Sequence, residues 1–193
     1  STATFLSNFY FFSQVNYFAT NAEMQPLLHT WSLSVEEQYY FLFPPVLLAM
    51  FKFRKMKAIW LVAITTVVSF IVAEYALYQG AERSFFFTGS RMWEIGAGSL
   101  AAFVIQKRGV IPNNSLALIG LAAIWVAFFS YDKSTPFPGR YALLPVAGTT
   151  LLILYAGKGT WVAQLLSTRI LVSIGLISYS AYLWHQPLFA FTR

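Results

Sequence analysis

The chain has 193 residues, of which 58% are hydrophobic and only 10% charged. Soluble domains carry about 25% charged residues, so a soluble globular class is excluded, and a mean hydropathy of +0.59 with repeated long apolar runs points to an integral membrane protein. With no cysteine and two histidines, neither a disulfide framework nor a metal site is expected, and the net charge of +6 fits basic cytoplasmic loops of a membrane protein rather than nucleic-acid binding.

The apolar runs are continuous and lack the period-2 alternation of barrel strands. In a bilayer, backbone groups must be satisfied within each segment, so the expected class is all-α: a polytopic transmembrane helix bundle. Residues 1–20 are aromatic-rich, with Asn8, Gln14 and Asn16 interspersed, and read as a helix end or an interfacial segment. Residues 21–31 read as a loop, with Pro26 restricting the backbone before it. A helix is expected to begin near Ser34, because Ser34 and Glu37 match the Ser-x-x-Glu capping box. It continues through 41–51, where Pro44-Pro45 should bend or break it, and stops at the basic residues Lys52, Arg54, Lys55 and Lys57.

Further spans are expected at 58–78, which holds Glu74, and at 84–105, which holds Arg91 and Glu94. Two uncharged spans follow at 115–131 and 141–156, and the last, 172–191, carries His185 and Pro187. Residues 161–169 read as a short amphipathic interfacial piece. The total is about six spans in a single membrane domain over 1–193. Beginning at Ser1 and ending beside an apolar run, the chain reads as a portion of something longer.

Alternating the loops across the membrane places Lys52, Arg54, Lys55, Lys57, Lys107, Arg108, Lys158 and Arg169 on one side, which the positive-inside rule makes cytoplasmic. His29 to Tyr40, Arg91, Glu94 and His185 then all lie toward the opposite face. Three segments far apart in sequence bring their polar residues to similar depth, so one site can contain them all.

Ionisable residues inside a span are costly and mark function by default. Arg91 and Glu94 share a helix face at i, i+3; they form either an ion pair that pins helices or a clamp for an anion or sugar. Gly96 and Gly98 would admit a close neighbouring helix. Glu37 has the capping duty, which leaves Glu36 free to bind hydroxyls or transfer protons, with Tyr40 one turn on and able to face the same cavity. His29 and His185 are each as readily hydrogen-bonding interface residues as functional ones.

The run His29-Thr30-Trp31-Ser32-Leu33-Ser34-Val35-Glu36-Glu37-Gln38-Tyr39-Tyr40 resembles the signature of the acyltransferase family 3 membrane proteins, which include the O-acetyltransferases of lipopolysaccharide O-antigen and of peptidoglycan. Two further matches follow in the family's order: Arg91-Met92-Trp93-Glu94 before a Gly-rich helix, and Ser178-Tyr179-Ser180 with Tyr182-Leu183-Trp184-His185 and Pro187. The resemblance implies an enzyme of the bacterial inner membrane that moves an acyl group, usually acetyl from acetyl-CoA, to a hydroxyl of an envelope glycan. It implies no bound cofactor, the acyl-CoA being a substrate. Glu36 and His29 would be catalytic, while Trp31, Tyr40, Arg91, Glu94, Tyr182 and His185 would bind substrate. Family members also carry an arginine and, about three turns later, a histidine in a first helix. This chain has no such pair, so it reads as a middle-to-late portion, inactive by itself. The competing expectation is a transporter or flippase of an envelope precursor, which would show paired broken helices; the sequence has one Pro-Pro break and no internal repeat.

Overall fold

The computed structural model describes residues 6–14, 27–53, 57–80, 85–132 and 135–192. Among them there is no strand. The helices are α1 (Ser7–Gln14), α2 (Thr30–Phe53), α3 (Ala58–Tyr78), α4 (Thr88–Arg108), α5 (Asn114–Ser130), α6 (Leu143–Tyr155), α7 (Trp161–Leu166) and α8 (Arg169–Thr192), with a 3-10 turn, Arg140–Ala142, leading into α6.

The all-α class is as expected, but the number of crossings is not reached by length and apolarity. Of the described helices, only α3 is both long and apolar enough to cross a bilayer. Its 21 residues span about 31 Å at 1.5 Å each, against a hydrocarbon core of about 30 Å. The apolar helices Asn114–Ser130 and Arg140–Tyr155 are shorter. The long helices α2, α4 and α8 carry Glu36-Glu37-Gln38, Arg91 with Glu94, and His185-Gln186, polar groups that lower their mean hydropathy.

The start of α2 also departs from expectation. It begins at Thr30, directly after a turn at residues 27–29 in which Leu27 and Leu28 carbonyls accept from the Thr30 and Trp31 amides at 3.1 and 3.2 Å. Ser34 is therefore a full turn inside the helix. Its hydroxyl lies 2.6 Å from that of Ser7 and donates to the Thr30 carbonyl at 3.2 Å, so Ser34 and Glu37 form no capping box. Pro44 and Pro45 lie within α2, which runs on to Phe53, so they do not break it. Residues 1–5 and 15–26, including Asn16 and Pro26 of the expected aromatic segment and loop, fall outside the described residues.

Two antiparallel hairpins, α3–α4 and α5–α6, make up the body, with α6 also packed on α4 and α1 on α2. Small residues permit these approaches, as expected where apolar helices associate by packing alone. The buried Ser69 hydroxyl donates to the Gly89 carbonyl at 2.6 Å and accepts from the Trp93 amide at 2.9 Å. A Cβ added at Gly96 would meet the Thr66 hydroxyl, whereas one at Gly98 would meet nothing within 4 Å, so only the first is a contact point. In the other hairpin, Gly120 and Gly148 face each other, and an added Cβ at either would stand 2.7 Å from the other's carbonyl oxygen.

Phe11, Leu28, Trp31, Val35, Phe85 and Phe86 form the main buried cluster, where α1, the start of α2 and the turn before α4 meet. Elsewhere large apolar side chains stand open: Phe41 is 80% exposed, Phe128 74% and Leu176 79%. Every residue from Gln164 to Tyr182 is exposed, so α8 approaches the rest only by its last turns. Apolar exposure on this scale is what lipid or further protein covers.

Gly120→Ala in the intact protein should lower stability by about 1–3 kcal/mol, the usual cost of forcing backbone apart. Gly98→Ala should instead be neutral or stabilising, up to about 1 kcal/mol, since it removes a mid-helix glycine without a clash. Thermal unfolding in detergent compares the two; equal midpoints would remove the packing role of Gly120.

Candidate active site

The site is assembled from the first two turns of α2, the second turn of α4 and the last third of α8. A ring of three side chains sets the relation of α1, α2 and α4. The Asn8 amide donates to Thr88 Oγ1 at 3.0 Å, Thr88 donates to Gln38 Oε1 at 2.5 Å, and Gln38 Nε2 returns the bond to Asn8 Oδ1 at 2.9 Å. Asn8 also donates to the Phe86 carbonyl at 3.2 Å. Asn8 is wholly buried, and buried polar groups must find partners.

With α2 held this way, Trp31, Ser32, Val35 and Glu36 face Arg91, Glu94 and Ile95 of α4 across a cleft of about 90 Å³. Arg91 pairs with Glu94 at 2.6 Å. Its guanidinium carbon also lies 5.0 Å from the Trp31 ring centre and 4.5 Å from that of Phe85, a cation–π arrangement joining α4 to α2. Arg91 thus neutralises its neighbour and pins two helices. One donor remains, since its Nε is buried without a hydrogen-bond partner. Glu36, at the cleft mouth, is exposed.

Beside the cleft, α8 brings two more groups to the start of α2. The Tyr182 hydroxyl donates to the His29 carbonyl at 2.6 Å and lies 2.5 Å from the Ser32 hydroxyl. The His29 and His185 rings are 5.2 Å apart, with Tyr182 against both. His185 Nδ1 is 2.6 Å from the Tyr182 carbonyl. A carbonyl only accepts, so Nδ1 carries a proton. His29 Nδ1 is buried without a hydrogen-bond partner. Burial first, and then the nearby His185, lower the His29 pKa below its ordinary 6.5, so His29 is neutral at pH 7.

Of the residues singled out in the sequence, Trp31, Glu36, Arg91 and Glu94 therefore share the cleft, and His29, Tyr182 and His185 cluster next to it. Tyr40 does not join them. It is 57% exposed and lies beside Tyr39; the cleft covers α2 from Trp31 to Glu36 and stops before the following turn. Ser32, Asn8, Gln38 and Thr88 were not singled out. Asn8 and Gln38 carry one usable signal, an amide in an aromatic, apolar setting that has to be paired. No group of three or more His, Asp or Glu side chains suited to a metal ion occurs among the described residues.

Comparison with known proteins identifies the family of the chain. The sequence model of one family, described as an acyltransferase domain, matches residues 2–193. The chain is 30% identical to the O-acetyltransferase OatA of Staphylococcus aureus strain NCTC 8325 / PS 47 over 205 aligned positions, covering 98% of this chain and 34% of OatA. OatA of strains COL and MRSA252 matches to the same extent. The chain thus spans about a third of the length of the curated relatives it matches. No solved structure matches it significantly.

Because burial favours neutral His29, its contribution to stability should be fully present above pH 6.5 and be lost as pH falls through its lowered pKa. Unfolding midpoints of the intact protein, followed across that window, should drop in the wild type and drop less in His29→Gln. Parallel curves would show that His29 is not held neutral by the fold.

Proposed function

Because the chain belongs to acyltransferase family 3, we propose that it forms the acceptor side of an O-acetyltransferase site in a bacterial plasma membrane. The observation that supports this reading is the meeting of Glu36, Arg91 and Glu94 in one cleft, with His185 and the neutral His29 beside it. The names of the Staphylococcus aureus relatives point the same way. The acceptor is a hydroxyl of an envelope glycan and the donor an acyl-CoA, with acetyl as the acyl group.

The cleft has room for a few water-sized groups, which suits the hydroxyl-bearing arm of a sugar rather than a whole ring. Glu36 accepts from a sugar hydroxyl, and the Arg91–Glu94 pair supplies a fixed donor and acceptor opposite it. His29, neutral and beside the cleft, takes the proton of the reacting hydroxyl when the acceptor arm reaches it. The hydroxyl oxygen bonds to the acyl carbonyl carbon, the carbon–sulfur bond breaks, and the coenzyme leaves as its thiolate. Tyr182 holds the loop that carries His29, and Trp31 walls the cleft.

In this reading α2, α3, α4, α5, α6 and α8 make six crossings. The basic ends of α2 and α4 face the cytoplasm by the positive-inside rule, and the cleft lies toward the opposite face. The close Gly120–Gly148 contact supports membrane burial of the shorter pair α5–α6.

The test uses the intact protein in membranes, supplied with radiolabelled acetyl-CoA and envelope polysaccharide. The wild type should place label covalently on the polysaccharide. Glu36→Gln should reduce transfer by about 100-fold or more, the scale of a lost proton-transfer or positioning group, without changing expression, and Glu37→Gln should be mild. Near-normal transfer by Glu36→Gln would sink the assignment of Glu36, and an unlabelled polysaccharide with the wild type would sink the enzyme reading.

A further inference from the structure

The α3–α4 hairpin carries a second and larger cavity, at the end away from the cleft. It has a volume of about 800 Å³, within the range of roughly 300–1,000 Å³ typical of ligand sites. It opens between the first turns of α3 and the last turns of α4. Trp60, Ala63, Leu100 and Phe103 line it, and Lys57 and Lys107 border it; both lysines are exposed. Apart from them, Gln106 is the one polar side chain in the lining.

The charge at this end is unbalanced. The segments 52–57, 107–113 and 156–168 contain no aspartate or glutamate, and no acidic residue lines the groove. Two ammonium groups beside an apolar trough match a ligand with an anionic head and a hydrocarbon tail, since basic pockets between membrane helices recognise such headgroups.

We infer that this groove seats an anionic phospholipid, its phosphodiester held by Lys57 and Lys107 and an acyl chain lying along Trp60, Leu100 and Phe103. Two other occupants fit the groove less well. The pantetheine arm of a coenzyme A would bring amides into a trough whose only uncharged polar side chain is Gln106, leaving polar groups without partners. A covering apolar helix would bury two ammonium groups with no counter-charge. The inference rests on the membrane placement proposed above but uses neither the cleft nor its residues.

Native mass spectrometry of the intact protein released from detergent tests it, with phosphatidylglycerol titrated against phosphatidylcholine of the same chains. The wild type should bind phosphatidylglycerol at least about tenfold more tightly, as two lysines near an anionic headgroup suffice to give. Lys57→Gln/Lys107→Gln should lose that preference while its binding of phosphatidylcholine stays unchanged. Ala63→Trp, which fills the trough, should weaken both lipids. Equal binding of the two lipids by the wild type, or a preference that survives in the double variant, would overturn the site. Displacement of bound phosphatidylglycerol by acetyl-CoA would overturn it too, by making the groove a donor site. Acetyl transfer is followed in the same preparations. Absence of transfer with an intact lipid preference counts against the enzyme reading alone, and loss of the preference with intact transfer counts against the lipid site alone.

Discussion

The closed ring of hydrogen bonds among Asn8, Thr88 and Gln38 is the constraint on which the site depends. Each member uses its donors on the next, so the ring is satisfied at one mutual rotation of α1, α2 and α4. In apolar surroundings a rotated helix would leave an amide unpaired, at a cost of about 1–3 kcal/mol for each buried group. Ser34, one turn before Gln38, meets Ser7 on the same side of α2, so two successive turns agree on that rotation. It is this rotation that turns Trp31 and Glu36 toward Arg91 and Glu94.

The position of α4 along its own axis has a different origin. Ser69 of α3 bonds the Gly89 carbonyl and the Trp93 amide, and Gly96 lets Thr66 come close. These contacts sit on both sides of Arg91 and Glu94 in sequence, so the ion pair rests on a helix pinned above and below it. Packing of Ala142, in the 3-10 turn, and of Val146 in α6 with the buried Trp93 and Ala73 links the second hairpin to the same helix. Rigid helices, rather than loops, therefore carry the charged half of the cleft, which is the arrangement that keeps a site in register.

The histidine half is held more lightly. Along α8 the residues up to Tyr182 are exposed, and near its end the Tyr182 hydroxyl bonds the His29 carbonyl and lies against the Ser32 hydroxyl. Each neutral hydrogen bond of this kind contributes about 1 kcal/mol. The ring contacts of His29 with Tyr182 and His185 add to it. The histidines thus sit at a joint between helices, while the charged groups sit within a packed body.

By itself the sequence determined the helical class, most helix positions and the family, because continuous apolar runs and motif spacing are local properties. The 58–78 helix was bounded to the residue, and counting helices brought His29, Glu36, Arg91, Glu94 and His185 toward one end of the bundle, where the cleft and the histidine cluster are found. What it misjudged was also local: the Leu27–His29 turn moved the start of α2 upstream of Ser34, and Pro44-Pro45 did not break that helix. The tertiary structure alone decided which residues share the cleft. Helical spacing says that Glu36 and Tyr40 lie on one side of α2, but only the packing of α4 sets where that side stops being covered. The same holds for the meeting of His29 with Tyr182 and His185. Such pairings join positions more than a hundred residues apart, and no periodicity along the chain encodes them.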